Sequence, residues 1–386
     1  MINKLKTNNK VLFKIDRSLD NLIDKIELLN YVNPINIEQE KHKFFKSKYL
    51  TNPIFEYPQK DFDKFKIHQK IFNQPIELIE DEKIRKLYEQ TIYYYSGLVR
   101  CIETIGEDKK FYYNSLQLFG TPTEQDVENA KFILHFEEES SSNSVFKPQY
   151  TPKQAEKFFK NYANRYDFKF NITQSSAISA IAMVVNYTQT LVLNSKHRFT
   201  ENEIAILTHH EIGVHMLTTF NGLQHNLKIF SHGLPDNVET QEGLAVFSEY
   251  MSGNLTIRRL KELAYRVIAV DSLAKGYSFS RTFRLLHNTY DLDKAQAFYI
   301  TTRVHRAGGF TKDYLYLTGL KKVYNFYKLN KNLEILLTGK VSLKYVNYIQ
   351  HLIDKGLAVN SRFRTDIYAK NKNTNKTVNF ILDNLK

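Results

Sequence analysis

Apolar positions recur at helical spacing through most of this chain, with one short interval where they alternate instead. Leu12, Ile15, Leu19, Leu22, Ile26 and Leu29 mark a first amphipathic helix. Residues 81–105 predict a longer one, and Thr123 with Asp126 opens another that runs to Phe136. Thr151-Pro152 has the N-cap, N1 order of a helix start, continuing to about Tyr162. Alternation then takes over at Phe168, Phe170 and Ile172, again at Ile178, Ala180, Ala182 and Val184, and at Leu191 and Leu193. These runs predict short strands.

Helical spacing returns at Thr200-Glu-Asn-Glu203, a capping box in which threonine and glutamate satisfy each other's backbone amides. Ile204, Leu207, Ile212 and Leu217 line that helix, and Asn221-Gly222 is a natural stop. A further helix is expected from Asp236, paired with Glu239 three residues on, to Gly253. Leu255 to Leu273 follows, carrying Arg258, Arg259 and Arg266. Gly308-Gly309 breaks the chain before Thr311 caps a helix with Lys312, Asp313 and Tyr316. The pattern predicts an α+β fold, predominantly helical, with a small sheet just ahead of the helix at residue 200.

At 386 residues and 42% hydrophobic, the chain can bury a large core. The acidic, serine-rich run at 137–144 is the best candidate for an internal boundary. It suggests a mainly helical N-terminal region, 1–140, and a catalytic region, 141–386, unless the two form one continuous domain. The lone cysteine, Cys101, excludes an intramolecular disulfide framework and sits on an apolar helical face, as buried packing would. The polar N-terminus lacks the apolar core of a signal peptide, and no apolar run approaches the ~18 residues of a spanning helix. A cytoplasmic protein without membrane contact is expected. The net charge of +13 is scattered, with no zinc-finger, RNP-type or helix-turn-helix pattern beside it. Nucleic acid is therefore not an expected partner.

Reactive groups concentrate in two places. Residues 209–215 read His-His-Glu-Ile-Gly-Val-His, and 239–245 read Glu-Thr-Gln-Glu-Gly-Leu-Ala. Together they hold the inventory of a catalytic zinc site: three protein ligands, an open position for water, and a base beside it. His210 and His215 are five apart rather than the four of H-E-x-x-H. Five residues rotate an α-helix roughly 140° past a full turn, which splays the rings. Both reach one ion only if the helix is widened, as a π-bulge does, and Gly213 lies in the interval to ease that deformation. His209 is a rival ligand, but it is six from His215 and lacks an adjacent glutamate.

On the following helix, Glu239, Glu242, Val246 and Glu249 recur at i, i+3, i+7 and i+10. Glu242 is the expected third ligand, because Gly243 and Ala245 leave room for close packing against the histidine helix. Glu239 and Glu249 are expected to orient the histidines or balance the site. An H-E-x-x-x-H alone is weak, since helical histidines are often merely solvated. The carboxylate helix and the caps strengthen it.

The stretch from Arg198 to Gly253, with these two motifs and Gly233-Leu-Pro between them, resembles the flavohaemoglobin expression-modulating QEGLA-motif proteins. These are relatives of the animal microtubule-associated tyrosine carboxypeptidase. The block from Arg303 to Leu320 resembles the same family, and the similarity is strongest from Ala177 to Leu320. The resemblance implies a zincin-like metallopeptidase fold, one zinc on His210, His215 and Glu242, and Glu211 as base. It also implies a peptide or protein C-terminus as substrate, with the taste for tyrosine left open.

A carboxypeptidase needs two further groups: a donor for the tetrahedral oxyanion and a cation for the substrate's carboxylate. Tyr316 and His305 are candidates for the first; Arg303, Arg306 and Lys312 for the second. Each is as easily a surface charge or a packing ring. An edge strand ahead of the histidine helix offers a place for an extended peptide to pair. Two other readings use the same residues: an endopeptidase or aminopeptidase, and a non-catalytic zinc-containing regulator of expression with His209 or Glu239 as a fourth ligand.

Overall fold

The computed structural model describes residues 9–24, 26–60, 63–138, 147–176, 178 and 180–386. The polar N-terminal stretch 1–8 and most of the serine-rich run lie outside them. Capping chemistry sets many of the helix starts. Asp81 accepts from the amide of Ile84 to open Glu82–Glu103. Thr123, Thr151 and Thr200 form full capping boxes with Asp126, Gln154 and Glu203, opening Glu124–Leu134, Pro152–Ala163 and Glu201–Leu207.

The first helix is shorter than its apolar spacing suggests. It spans Lys10–Ile23, and a separate 3₁₀ turn follows at Leu28–Asn30. Ile26 and Leu28 are still buried, but on a chain that has left the helix. The spacing marked their burial and not their conformation.

The strands are β1 (Asn171–Ser175), β2 (Ala182–Val185) and β3 (Thr190–Asn194). Their order is β1-β3-β2, with β1 parallel and β2 antiparallel to the central β3. Leu191 and Leu193 of β3 are fully buried, as the two-residue period requires. Phe168 and Phe170 precede β1, where Phe168 stacks on Phe220. Ile178 and Ala180 lie ahead of β2, outside the strand. Edge strand β2 packs against the histidine segment.

Three helices form the centre. Asn237–Met251 contacts both the histidine segment and Leu315–Lys328, while Ile257–Ala274 packs against Leu315–Lys328 and Glu124–Leu134. Gly243 has a packing role, but its partner differs from expectation. A Cβ there would collide with the carbonyl of Gly319 on Leu315–Lys328, so the two glycines let those helices touch backbone to backbone. Cys101 is buried, and burial pushes its thiol up to about 12, consistent with packing and not nucleophilic chemistry. No helix among the described residues is long and apolar enough to cross a membrane.

Candidate metal centre and its cavity

The histidines stand on a helix that changes gauge. Glu201–Leu207 is α-helical, Thr208–Met216 is π-helical, and Leu217–Leu223 is α-helical again. The wider turns bring His210 and His215 to the same side, with ring centroids 5.0 Å apart. Gly213 sits in the widened segment, where a Cβ would come within 3.3 Å of the Tyr162 hydroxyl. His209 faces that tyrosine, Nδ1 to hydroxyl 3.4 Å, away from the other two imidazoles.

Glu242 Oε2 lies 3.7 Å from His210 Nε2 and 3.6 Å from His215 Nε2, and the three atoms fall within 4.8 Å of one another. Nitrogen and oxygen ligands at ~2.0–2.1 Å from a tetrahedral zinc stand roughly 3.3 Å apart, so the spacing suits an ion after a small contraction. A second observation agrees. Glu242 Oε2 is buried with no hydrogen-bond partner, an expensive state for a carboxylate oxygen unless a cation sits against it.

His210 donates through Nδ1 to Glu249 Oε1 at 2.8 Å, which leaves the Nε2 lone pair for the space beside Glu242. Arg259 holds Glu249 in turn, Nε to Oε2 3.1 Å. Burial disfavours a charged His210, but Glu242 and Glu249 outweigh it and raise its pKa to about 9. Burial prevails at His215, whose pKa falls. Glu242 would be raised by burial, yet Lys312 and the two imidazoles hold it well below the usual carboxylate range. The surroundings thus favour a positive charge among these three side chains, and a metal ion competes with a proton for that position.

The three glutamates of Asn237–Met251 have different fates. Seven residues turn a helix to within ~20° of the starting direction, so Glu242 and Glu249 point the same way. Glu239 is about 60° off that line. It binds Lys322 Nζ at 2.7 Å and Thr318 and does not reach the histidines. Asp236 is not the expected cap: it sits in the left-handed region at φ 55°, makes no cap bond, and pairs with Lys344.

A cavity of about 280 Å³ contains His210, Glu211, His215 and Glu242 in its wall. Ala182, Met183 and Val184 of β2 line it, as do Ile23, Ile26 and Leu28 from the N-terminal segment and Tyr94, Leu98 and Phe119. Arg303, Arg306, Lys312 and Tyr316 line it too. Lys312 Nζ donates to Glu242 Oε1 at 2.7 Å and lies 3.3 Å from the Tyr316 hydroxyl. Arg303 is bound to Asp313. His305 is the one member of the block turned elsewhere; its Nε2 lies 2.9 Å from Thr282 Oγ1, outside the cavity lining. Thr311 does not cap its helix but pairs with Ser115, and a 3₁₀ turn, Thr311–Tyr314, leads into Leu315–Lys328.

Lys340 is a lining residue that sequence reasoning passed over. Its Nζ donates to the carbonyl of His215 at 3.2 Å, and burial lowers its pKa to about 8. Its only local signal is the preceding glycine, which fits no complete phosphate-loop motif.

A family model described as microtubule-associated tyrosine carboxypeptidase matches residues 42–386. The Homo sapiens protein "Microtubule-associated tyrosine carboxypeptidase 1" is 24% identical over 349 residues, covering 87% of this chain and 63% of its own length. The Mus musculus protein "Putative tyrosine carboxypeptidase MATCAP2" is 23% identical over 344 residues, covering 85% of this chain and 57% of its own. The chain therefore spans about three-fifths of the length of these curated relatives. A solved Shewanella oneidensis protein of unknown function aligns with TM-score 0.38 and 11% identity, over 82% of this chain and 73% of that one, too distant to carry an argument.

Proposed function

Because this chain belongs to the microtubule-associated tyrosine carboxypeptidase family, we propose that it is a zinc-dependent carboxypeptidase that removes a residue from a peptide or protein C-terminus. The observation that carries the reading is the buried, donorless Glu242 Oε2 set between the Nε2 atoms of His210 and His215, with Glu211 in the same cavity wall. The relatives' names supply the reaction class.

His210, His215 and Glu242 would hold one zinc. Bound there, zinc supplies Lewis acidity and lowers the pKa of water. Glu211 follows His210 on the π-helical segment and lines the cavity, and in this reading it accepts the proton of the attacking water at its carboxylate. The same carboxyl then returns the proton to the leaving amine. Glu249 fixes the tautomer of His210, and Arg259 fixes Glu249. Lys312, which donates to Glu242, and Tyr316, whose hydroxyl lies against Lys312, are the candidates for stabilising the developing oxyanion. Edge strand β2 gives an extended substrate a backbone to pair with. Such an arrangement amounts to a zincin-like active site.

The cavity draws residues from Ile23 through Lys340, which favours one continuous catalytic unit over separate regions at 1–140 and 141–386. The reading is tested by incubating zinc-loaded protein with paired peptides. Cleavage is expected for a free C-terminus, lost on C-terminal amidation, and indifferent to N-terminal acetylation. Equal cleavage of acid and amide would assign an endopeptidase.

A further inference from the structure

Arg303, Arg306 and Lys312 all reach the cavity wall, but only two of these cations are matched by an acid. Arg303 turns its Nε and Nη2 edge onto Asp313, the second of these bonds at 2.9 Å. Lys312 lies 2.7 Å from Glu242. Arg306 forms no ion pair with any described carboxylate. Its Nη1 donates to the neutral amide oxygen of Asn33, and its buried Nε has no hydrogen-bond partner at all. The residue is 4% exposed, with the Phe310 ring 5.1 Å from the guanidinium carbon. Burial and the nearby Arg303 lower its pKa to about 10, the direction for a cation with too little compensation.

An unmatched buried charge is costly, because no partner repays its desolvation. Arg303 is a guanidinium neutralised by an acid of its own fold. Three residues on, the corresponding edge has no acid against it and the side chain is oriented by an amide that carries no charge. We propose that Arg306 binds the free carboxylate of the substrate's terminal residue, and that Asn33 is the positioning residue that aims the guanidinium without neutralising it. Arginine meets a carboxylate with two parallel hydrogen bonds, which suits its Nε and Nη2 edge to this task. Asn33 precedes residue 42, where the family match begins, so the positioning group comes from a segment outside the matched region.

The proposal rests on the carboxypeptidase reading for its ligand, but binding tests it without turnover. The carboxylate has two sources in a peptide, the chain end or an acidic side chain, and the probes separate them. Calorimetric titration of the full chain carrying Glu211→Gln would use N-acetyl-Gly-Tyr acid, its C-terminal amide, and N-acetyl-Gly-Glu amide; tyrosine is the residue in the relatives' names. The acid is expected to bind at least about tenfold tighter than either amide, as a lost charge-assisted pair implies. Asn33→Asp keeps the size of the side chain and supplies the missing anion, so it should abolish the preference. Arg306→Gln should do the same, and Arg306→Lys should restore only part of it. Each variant is read at an unchanged melting temperature, and either Asn33→Asp or Arg306→Gln decides alone if the other does not fold. No acid preference in the starting protein, a preference surviving these variants, or a glutamate amide binding like the acid overturns the assignment. Equal cleavage of acid and amide by the unsubstituted enzyme would count against the carboxypeptidase reading instead.

Discussion

Where Thr208–Met216 meets Asn237–Met251, the cavity wall holds a carboxylate oxygen buried between two imidazoles without a donor. Where residues 303–312 form the wall, it holds a guanidinium without an acid. Several neighbouring charges are paired, Glu249 by His210 and Arg259, Arg303 by Asp313 and Lys312 by Glu242, while Lys340 meets only the carbonyl of His215. An orphaned buried polar atom costs roughly 1–3 kcal/mol, and more when charged, so a charged one in a cavity wall favours a ligand of opposite sign. On the proposed reading the first region would take a cation and the second an anion, and both line one cavity.

The largest expected effect separates the base from the ligands. Glu211→Gln keeps shape while removing the proton acceptor, so turnover should fall about 10²–10⁴-fold with zinc retained. Steady-state rates and metal analysis on one preparation check both halves. The next comparison is along a single helix. Glu249→Gln leaves His210 with a weaker partner and should cost about 10–100-fold in zinc affinity or activity. Glu239→Gln should leave zinc affinity unchanged, because Glu239 bonds Lys322 and Thr318. Competition with a chromophoric chelator distinguishes the two, and equal losses would erase the distinction drawn between these carboxylates.

Helix packing comes third. Gly243→Ala drives a methyl group into the Gly319 carbonyl and should lower stability by about 1–3 kcal/mol, read from thermal or denaturant unfolding. Gly213→Ala meets the Tyr162 hydroxyl at 3.3 Å and the Thr208 carbonyl oxygen at 3.7 Å and should be milder. The smallest effect concerns His305, which burial depresses to about 4 in the fold, below the ordinary ~6.5 of an unfolded chain. Its contribution is present above pH ~6.5 and is lost as pH falls toward 4, because the unfolded chain takes up the proton first. His305→Phe should flatten that limb of the stability curve without changing kcat/KM. A large loss of kcat/KM would return His305 to the chemistry.

The same contrast governs what could be read from residues alone. The metal region was legible because its signals are local. Thr200 and Glu203 cap the helix, and the five-residue step from His210 to His215 demands a widened helix, seen as π-helical turns over Thr208–Met216. The seven-residue step from Glu242 to Glu249 aligns two carboxylates. The anion region was legible only as a block. Whether Arg303, Arg306 or Lys312 is free depends on acids at 313 and 242, and on an asparagine at 33, brought together by tertiary packing. His305 looked equivalent to its neighbours, yet it turns to Thr282. The sequence marks Gly243 as a close-contact site, but its partner is Gly319, far along the chain. Lys340 carried no local signal of its place beside His215.

In the proposed site His210, His215 and Glu242 form one metal centre, with Glu211 beside it but not on the ion. X-ray absorption on zinc-reconstituted protein tests this most directly, with Glu211→Gln and Glu242→Gln measured in parallel. The expected result is one zinc per chain with two imidazole nitrogens and a carboxylate oxygen at about 2.0–2.2 Å. That set should be intact in Glu211→Gln and weakened or lost in Glu242→Gln. Absence of zinc after reconstitution, or an imidazole and carboxylate set unchanged in Glu242→Gln and broken in Glu211→Gln, would contradict it.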